Sequence, residues 1–265
     1  MDGTYDSRAE TNPKMAEEIV ISGMAGRFPE SDNIEELHQN LLNKIHMVTN
    51  DDRRWKLDHP NTPRATGKIN HLEKFDARFF GITTRARHFQ DPMARMLLEH
   101  SFEALIDAGL NPRQLRGSKI GVYIGISISE TESVLMSERY MDDMRAYAFF
   151  RCHFPNTISY CLGLTGPSCA IDTACSSSMS ALETAYRAIN DGQCEAALVG
   201  GANLCLLPHV NKWFNIVGTY FGLHFLEDGA ERGKISLIVR IFNGMELNET
   251  ARNISYGSHR GRYIL

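Results

Sequence analysis

Ser168-Cys169-Ala170-Ile171-Asp172-Thr173-Ala174-Cys175-Ser176-Ser177-Ser178-Met179-Ser180-Ala181-Leu182 is the stretch on which the fold turns. Cys169 to Thr173 reads as a short buried strand, and small residues then lead into a helix expected to begin near Cys175. At such a junction the first backbone N–H groups of the helix lack intrahelical partners, and their dipoles favour negative charge. A thiolate is stabilised there, and the N–H of Cys175 is a built-in donor for an oxyanion. For any one cysteine in this pattern the alternative is a buried structural role. Ser176, Ser177 and Ser178 suit close packing and hydrogen bonding at the helix start rather than catalysis.

Working outward, Met179, Leu182, Tyr186 and Ile189 recur on one face of the helix, which should end at Gly192. Glu195 to Gly201 is the next buried strand, and upstream Lys119 to Ile126 is a continuous apolar strand of the kind covered on both faces. Asp91-Pro92 opens a helix, with Asp as N-cap and Pro in the first turn. Its residues are apolar on more than one side as far as Ala108, and Gly109 stops it. Glu130 to Met144 reads as an amphipathic helix.

Nearer the N-terminus, Glu18 to Gly23 is a first strand, and Gly23 to Pro29 reads as a tight turn. That turn has neither a P-loop Gly-Lys-Ser/Thr ending nor GxGxxG spacing, which excludes a phosphate cradle. Asn33 and Glu36 form a capping box for a helix whose Ile34, Leu37, Leu41 and Ile45 should make one buried face. Residues 47–69, rich in Asp, Arg, Pro and Thr and without periodicity, are expected to form a long surface excursion. Strands that alternate with helices, and that lack polar alternation, specify an α/β fold with a mostly parallel sheet covered on both faces.

The chain has 265 residues, 43% of them hydrophobic, enough for a sizeable core. A net charge of −4 offers no general attraction to nucleic acid or to anionic membranes. No apolar run is long enough to span a bilayer. Residues 1–16 read as a polar, disordered lead-in without a signal-peptide core, so a cytoplasmic location is expected. Six cysteines without a CxxC pair argue against a disulfide framework and against zinc, and two N-glycosylation sequons near the C-terminus read as chance.

These residues resemble the N-terminal half of a β-ketoacyl synthase domain, of the kind found in animal, insect-type fatty acid synthases, with polyketide synthases as close relatives. The marks are Val20 to Pro29, Phe75 to Gly81, Asp91 to Glu99, Gly121 to Gly125, Gly166-Pro167-Ser168, Asp172 to Ser178 and Val199-Gly200-Gly201. The resemblance spans residues 17–211 and leaves 212–265 as a divergent tail. It implies a thiolase-like layered fold (αβαβα), here the N-terminal half, in which two similar halves sandwich shared helices. It implies that Cys175 is the active-site cysteine, an acyltransferase nucleophile. Acyl chains would arrive on the phosphopantetheine arm of acyl carrier protein, with no cofactor bound directly, and decarboxylative condensation with malonyl carrier protein would follow in fatty acid biosynthesis. A homodimer, or association with a full-length synthase, is implied as well, with residues 154–164 near the dimer surface.

The two histidines that such condensation uses lie, in this family, in His-Thr-Gly-Thr and Asn-Ile-Gly-His motifs. Neither occurs here, and His209, His224 and His259, which follow Cys175, match neither setting. The expectation is a fragment with a nucleophile but little or no condensation activity, and with apolar faces left bare. A fragment of a polyketide ketosynthase is an alternative, as is a non-catalytic module that binds a full-length synthase.

Overall fold

A computed structural model describes residues 19–56, 65–83, 86, 90–137, 150–210, 212 and 236–243, with 135–137 and 236–243 known by backbone alone. The expected lead-in at 1–16, the end of the helix expected to run to Met144, and His224 and His259 lie outside these residues.

In chain order the elements are β1 (Ile19–Arg27), α1 (Ile34–Leu42), β2 (Val48–Thr49), β3 (Thr66–Gly67), α2 (Pro92–Asp107), β4 (Ile120–Gly125) and α3 (Glu130–Ser137). They continue with α4 (His153–Leu162), β5 (Ser168–Ile171), a 3-10 turn (Ala174–Ser176), α5 (Ser177–Asn190), β6 (Ala196–Gly201) and β7 (Ser236–Asn243). Five strands form one sheet in the order β1-β7-β6-β4-β5, while β2 and β3 pair as a short separate ladder. β4 runs parallel to β5 and to β6, and β7 is antiparallel to both β6 and β1. Four strands therefore point one way and β7 alone opposes them, in accord with the mostly parallel sheet expected from the sequence.

Alternation along the central strands divides the core between two faces. On one face Val122, Ile124 and Leu198 pack with Met93, Leu97, Leu98 and Leu105 of α2 and Phe154 and Ile158 of α4. On the other, Tyr123, Ala197 and Val199 pack with Ala181, Ala185 and Ile189 of α5. Burying a Leu, Ile or Phe side chain contributes about 1.5–3 kcal/mol, so these two layers hold the sheet between its helices.

The caps follow the sequence. Asp91 accepts the N–H of Met93 at 2.7 Å with Pro92 in the first turn, and Gly109 takes a left-handed φ of 73° just past the end of α2. Asn33 accepts the N–H of Glu36 at 2.8 Å, while the Glu36 carboxylate bonds back to the N–H of Asp32 at 2.7 Å.

Three local expectations are corrected by tertiary contacts. β1 continues through Gly23 and Gly26 to Arg27, with a register shift between Ile21 and Gly23, because β7 pairs with it on both sides of that shift; the reversal comes later, at Phe28–Ser31. Gly23 serves packing rather than turning: a Cβ there would run into the Ala104 carbonyl and lie 2.7 Å from the Ala108 nitrogen, so α2 rests directly on β1. α1 buries no residue, and Leu41, Leu42 and Ile45 are exposed, because the helix touches the rest of the chain chiefly through β1. β5 is half-buried rather than buried, since among the described strands it is the edge of the sheet, paired with β4 alone.

Within the region 212–265 expected to be a divergent tail, Ser236–Asn243 forms β7, an inner strand of the sheet. The apolar face expected on α5 divides, with Ile189 buried and Met179 and Tyr186 exposed at 66% and 48%. Tyr160 on α4 is 85% exposed. Apolar side chains are thus exposed on both α4 and α5, which lie on opposite faces of the sheet.

Two buried carboxyls tie the segments after the central strands together. Asp91 also accepts the Ser129 hydroxyl at 2.6 Å. Glu130 accepts the N–H groups of Leu206 and Leu207 at 2.8 and 2.5 Å through one oxygen, and its other oxygen has no partner among the described residues. Burial pushes the Glu130 carboxyl from its ordinary 4.5 up to about 7, partly offset by the two N–H groups and reinforced by nearby Asp91. A carboxyl with a raised folded-state value holds its proton more tightly folded than unfolded. Stability from this group is present below 4.5 and is lost as pH rises through about 7. Glu130→Gln keeps an acceptor for the two N–H groups and removes the buried charge. Urea denaturation at about pH 8 should show it roughly 1–2 kcal/mol more stable than the parent, with the gain nearly gone by about pH 5.

Candidate active site

Glycine allows the turn at Cys175 to sit where it does. Gly125 ends β4, Gly201 ends β6, and the two are register partners on adjacent parallel strands. A Cβ at Gly125 would lie 2.5 Å from the Ser177 carbonyl carbon and 2.6 Å from the Ser178 nitrogen; one at Gly201 would lie 2.7 Å from Ser178 Cβ. The first turn of α5 therefore rides on the bare backbone at the strand ends.

Cys175 lies in the 3-10 turn that connects β5 to α5, and its side chain is exposed. The α-helix itself begins at Ser177, two residues later than the sequence suggested, because the chain first makes a 3-10 turn. Ala174, just before the cysteine, has a φ of 55°, a left-handed conformation that is uncommon for an alanine. The strain is local and is held in place by side chains around it.

Those side chains converge from separate segments. Asp172 Oδ1 accepts the N–H of Ala174 at 3.1 Å and the Ser127 hydroxyl at 2.7 Å. The Arg151 guanidinium pairs with Asp172 Oδ2. The Ser127 hydrogen bond first, then the Ala174 N–H and the Arg151 charge, hold the Asp172 carboxyl below the usual carboxylate range. It therefore stays ionised at neutral pH, and the pair weakens only in acid.

The serines after Cys175 take the structural part expected of them. Ser177 is buried, donates to the Ala174 carbonyl at 2.7 Å, and accepts the Thr173 N–H at 2.9 Å. Ser176 Oγ donates to the Thr173 carbonyl at 2.8 Å. The hydroxyls of Thr173 and Ser180 lie 2.8 Å apart.

All six cysteines are free thiols. Cys194 is buried beside Tyr123, and burial raises both groups above their ordinary values. Of the histidines after Cys175, His209 is the one among the described residues, and it is exposed just beyond β6. Among the described residues no group of three or more His, Cys, Asp or Glu side chains is placed to hold a metal ion. Nor is any helix among them long and apolar enough to cross a membrane.

Ser127 and Arg151 were not singled out by the sequence. Ser127 lies 45 residues from Asp172 and Arg151 lies 21 away, with no motif to connect them. The signal that was present is Asp172 itself, a carboxylate inside an otherwise small and apolar stretch.

With this geometry in place, comparison with known proteins gives a consistent result. The family model for the β-ketoacyl synthase N-terminal domain matches residues 16–218. A fatty acid synthase of Anser anser anser is 46% identical over 205 residues, which are 76% of this chain and 58% of that protein. The 6-methylsalicylic acid synthase of Aspergillus terreus is 34% identical over 233 residues, 82% of this chain and 13% of that one. Among solved structures, a ketosynthase from module 6 of the bacillaene synthase of Bacillus subtilis 168 superposes with a TM-score of 0.74 at 28% identity. That match covers 88% of this chain and 41% of the other. The chain thus spans a little over half of the first of these relatives and much less of the second. Sheet, glycine-supported turn and relatives together place the chain in the β-ketoacyl synthase family of condensing transferases, as a member that matches its N-terminal domain.

Proposed function

We propose that Cys175 accepts an acyl group from a thioester donor, the first half-reaction of a β-ketoacyl synthase. The observation that carries this reading is an exposed thiol in a strained strand-to-helix turn. The Cys175 thiolate attacks the thioester carbonyl, and a tetrahedral oxyanion forms beside the backbone N–H groups of the turn. The carbon–sulfur bond to the donor then breaks, the donor thiolate leaves and takes up a proton, and the acyl group stays on Cys175. The donor is read as the phosphopantetheine thioester of an acyl carrier protein, and the setting as cytoplasmic fatty acid synthesis.

Condensation needs a second step, in which a malonyl donor loses carbon dioxide and the resulting carbanion attacks the Cys175 thioester. Groups that hold the developing enolate oxygen are required for it, and neither histidine motif of the family is in these 265 residues. On these residues, acyl uptake by Cys175 is the step proposed for this chain. Exposed Met179, Tyr186 and Tyr160 favour association with a synthase subunit or a second copy that covers them.

The test is intact-mass spectrometry after incubation with an acyl thioester. One added acyl group, mapped to Cys175 and lost in Cys175→Ala, is the expected result. A folded protein whose Cys175 stays unmodified would overturn the proposal.

A further inference from the structure

We infer that Asp172 and Ser127 are positioning residues that hold the Ala174 peptide in its left-handed turn and so aim Cys175 at the carbonyl it attacks. This rests on the reading of Cys175 as the acyl acceptor. A left-handed alanine persists only where its surroundings over-determine it. Here the restraints act on both sides of the residue. Its N–H is held by Asp172 Oδ1 at 3.1 Å, and its carbonyl oxygen accepts from Ser177 Oγ at 2.7 Å with Ser127 Oγ 3.2 Å away. Ser127 in turn donates to Asp172 at 2.7 Å and lies 3.1 Å from Ser177 Oγ, which closes the ring of contacts. The ring reaches outside the turn, through Ser127 just beyond β4 and Arg151 just before α4. With the Ala174 φ and both of its hydrogen-bonding groups fixed, the following peptide, which carries the Cys175 N–H, has little freedom left.

Aim matters more to one reaction of the thiol than to another. Acyl transfer needs the sulfur and the oxyanion donors in register, and a misplacement of about 1 Å can cost roughly 100-fold. Alkylation by iodoacetamide needs an accessible thiolate and no oxyanion donor. Both rates can be followed at Cys175 by mass spectrometry in the full chain, with acyl-N-acetylcysteamine as the acyl donor.

Asp172→Ala is expected to slow acyl transfer by about 100-fold while alkylation stays within about threefold of the parent. Ser127→Ala should follow the same pattern more weakly. Asp172→Asn keeps an acceptor oxygen and should recover most of the loss. Unchanged acyl transfer in Asp172→Ala, or an equal fall in both rates, overturns the inference. If the parent chain takes up no acyl group, the proposed function fails, and the inference is judged by hydrogen exchange of amides 173–177. Exchange there should quicken by about tenfold or more in Asp172→Ala while β4 stays protected, and unaltered exchange overturns it.

Discussion

Gly125→Ala is expected to lower the unfolding free energy by about 2–3 kcal/mol and to displace the start of α5. The added methyl would sit 2.5 Å from the Ser177 carbonyl carbon and 2.6 Å from its oxygen. Both are backbone atoms of a buried residue, so no flexible side chain can swing aside. The helix must lift from the sheet, and the Ser177 bonds to Thr173 and Ala174 go with it. The turn that presents Cys175 would lose its seat, and acyl uptake should fall together with stability. Urea denaturation reads the first effect and intact-mass labelling the second. A variant with the parent's midpoint and labelling rate would show that the helix start tolerates displacement. Gly201→Ala should be milder, because its nearest neighbour is the Ser178 side chain and the Ser178 Cα lies 3.5 Å away.

Phe154→Ala is expected to cost about 3–5 kcal/mol, through lost apolar contact and the cavity left behind. Phe154 is fully buried on α4, in the cluster that joins α2, α4 and the central strands. Native domains are stable by only about 5–15 kcal/mol, so this one change removes a large fraction of the total. Its reach extends to the site: Arg151, three residues earlier, pairs with Asp172. Thermal melting should show a lower and broader transition, and Cys175 labelling should become less selective over the other thiols. A midpoint within a few degrees of the parent would mean that the α4 layer is not essential to the core.

What was legible in the sequence was what neighbours a few residues apart can specify. The Asp91-Pro92 start of α2 and the apolar β4 depend on capping, periodicity and chain stiffness, and both stand where they were expected; the strand-to-helix junction at Cys175 is present too, with a 3-10 turn before the helix. The motif around Cys175 likewise pointed to the family that the relatives support. Local patterning misled where distant segments decide the outcome. Gly23 to Pro29 looks like a turn to any rule of local propensity, yet β7, more than 200 residues on, keeps most of it extended. The apolar stripe of α1 is present, but among the described elements only β1 meets the helix appreciably, so Leu41 and Ile45 stay exposed.

The site divides in the same way. Cys175 could be proposed from the chain because a thiol at a strand-to-helix junction is written in consecutive residues. The ring that holds it could not. Ser127, Arg151 and Asp172 meet only because parallel pairing sets the end of β4 beside the end of β5, and because α4, packed on β4, delivers Arg151 to the same corner. Hydrogen bonds between groups so far apart along the chain leave no periodicity to read. They exist once the sheet has formed and its buried layers have fixed the distances.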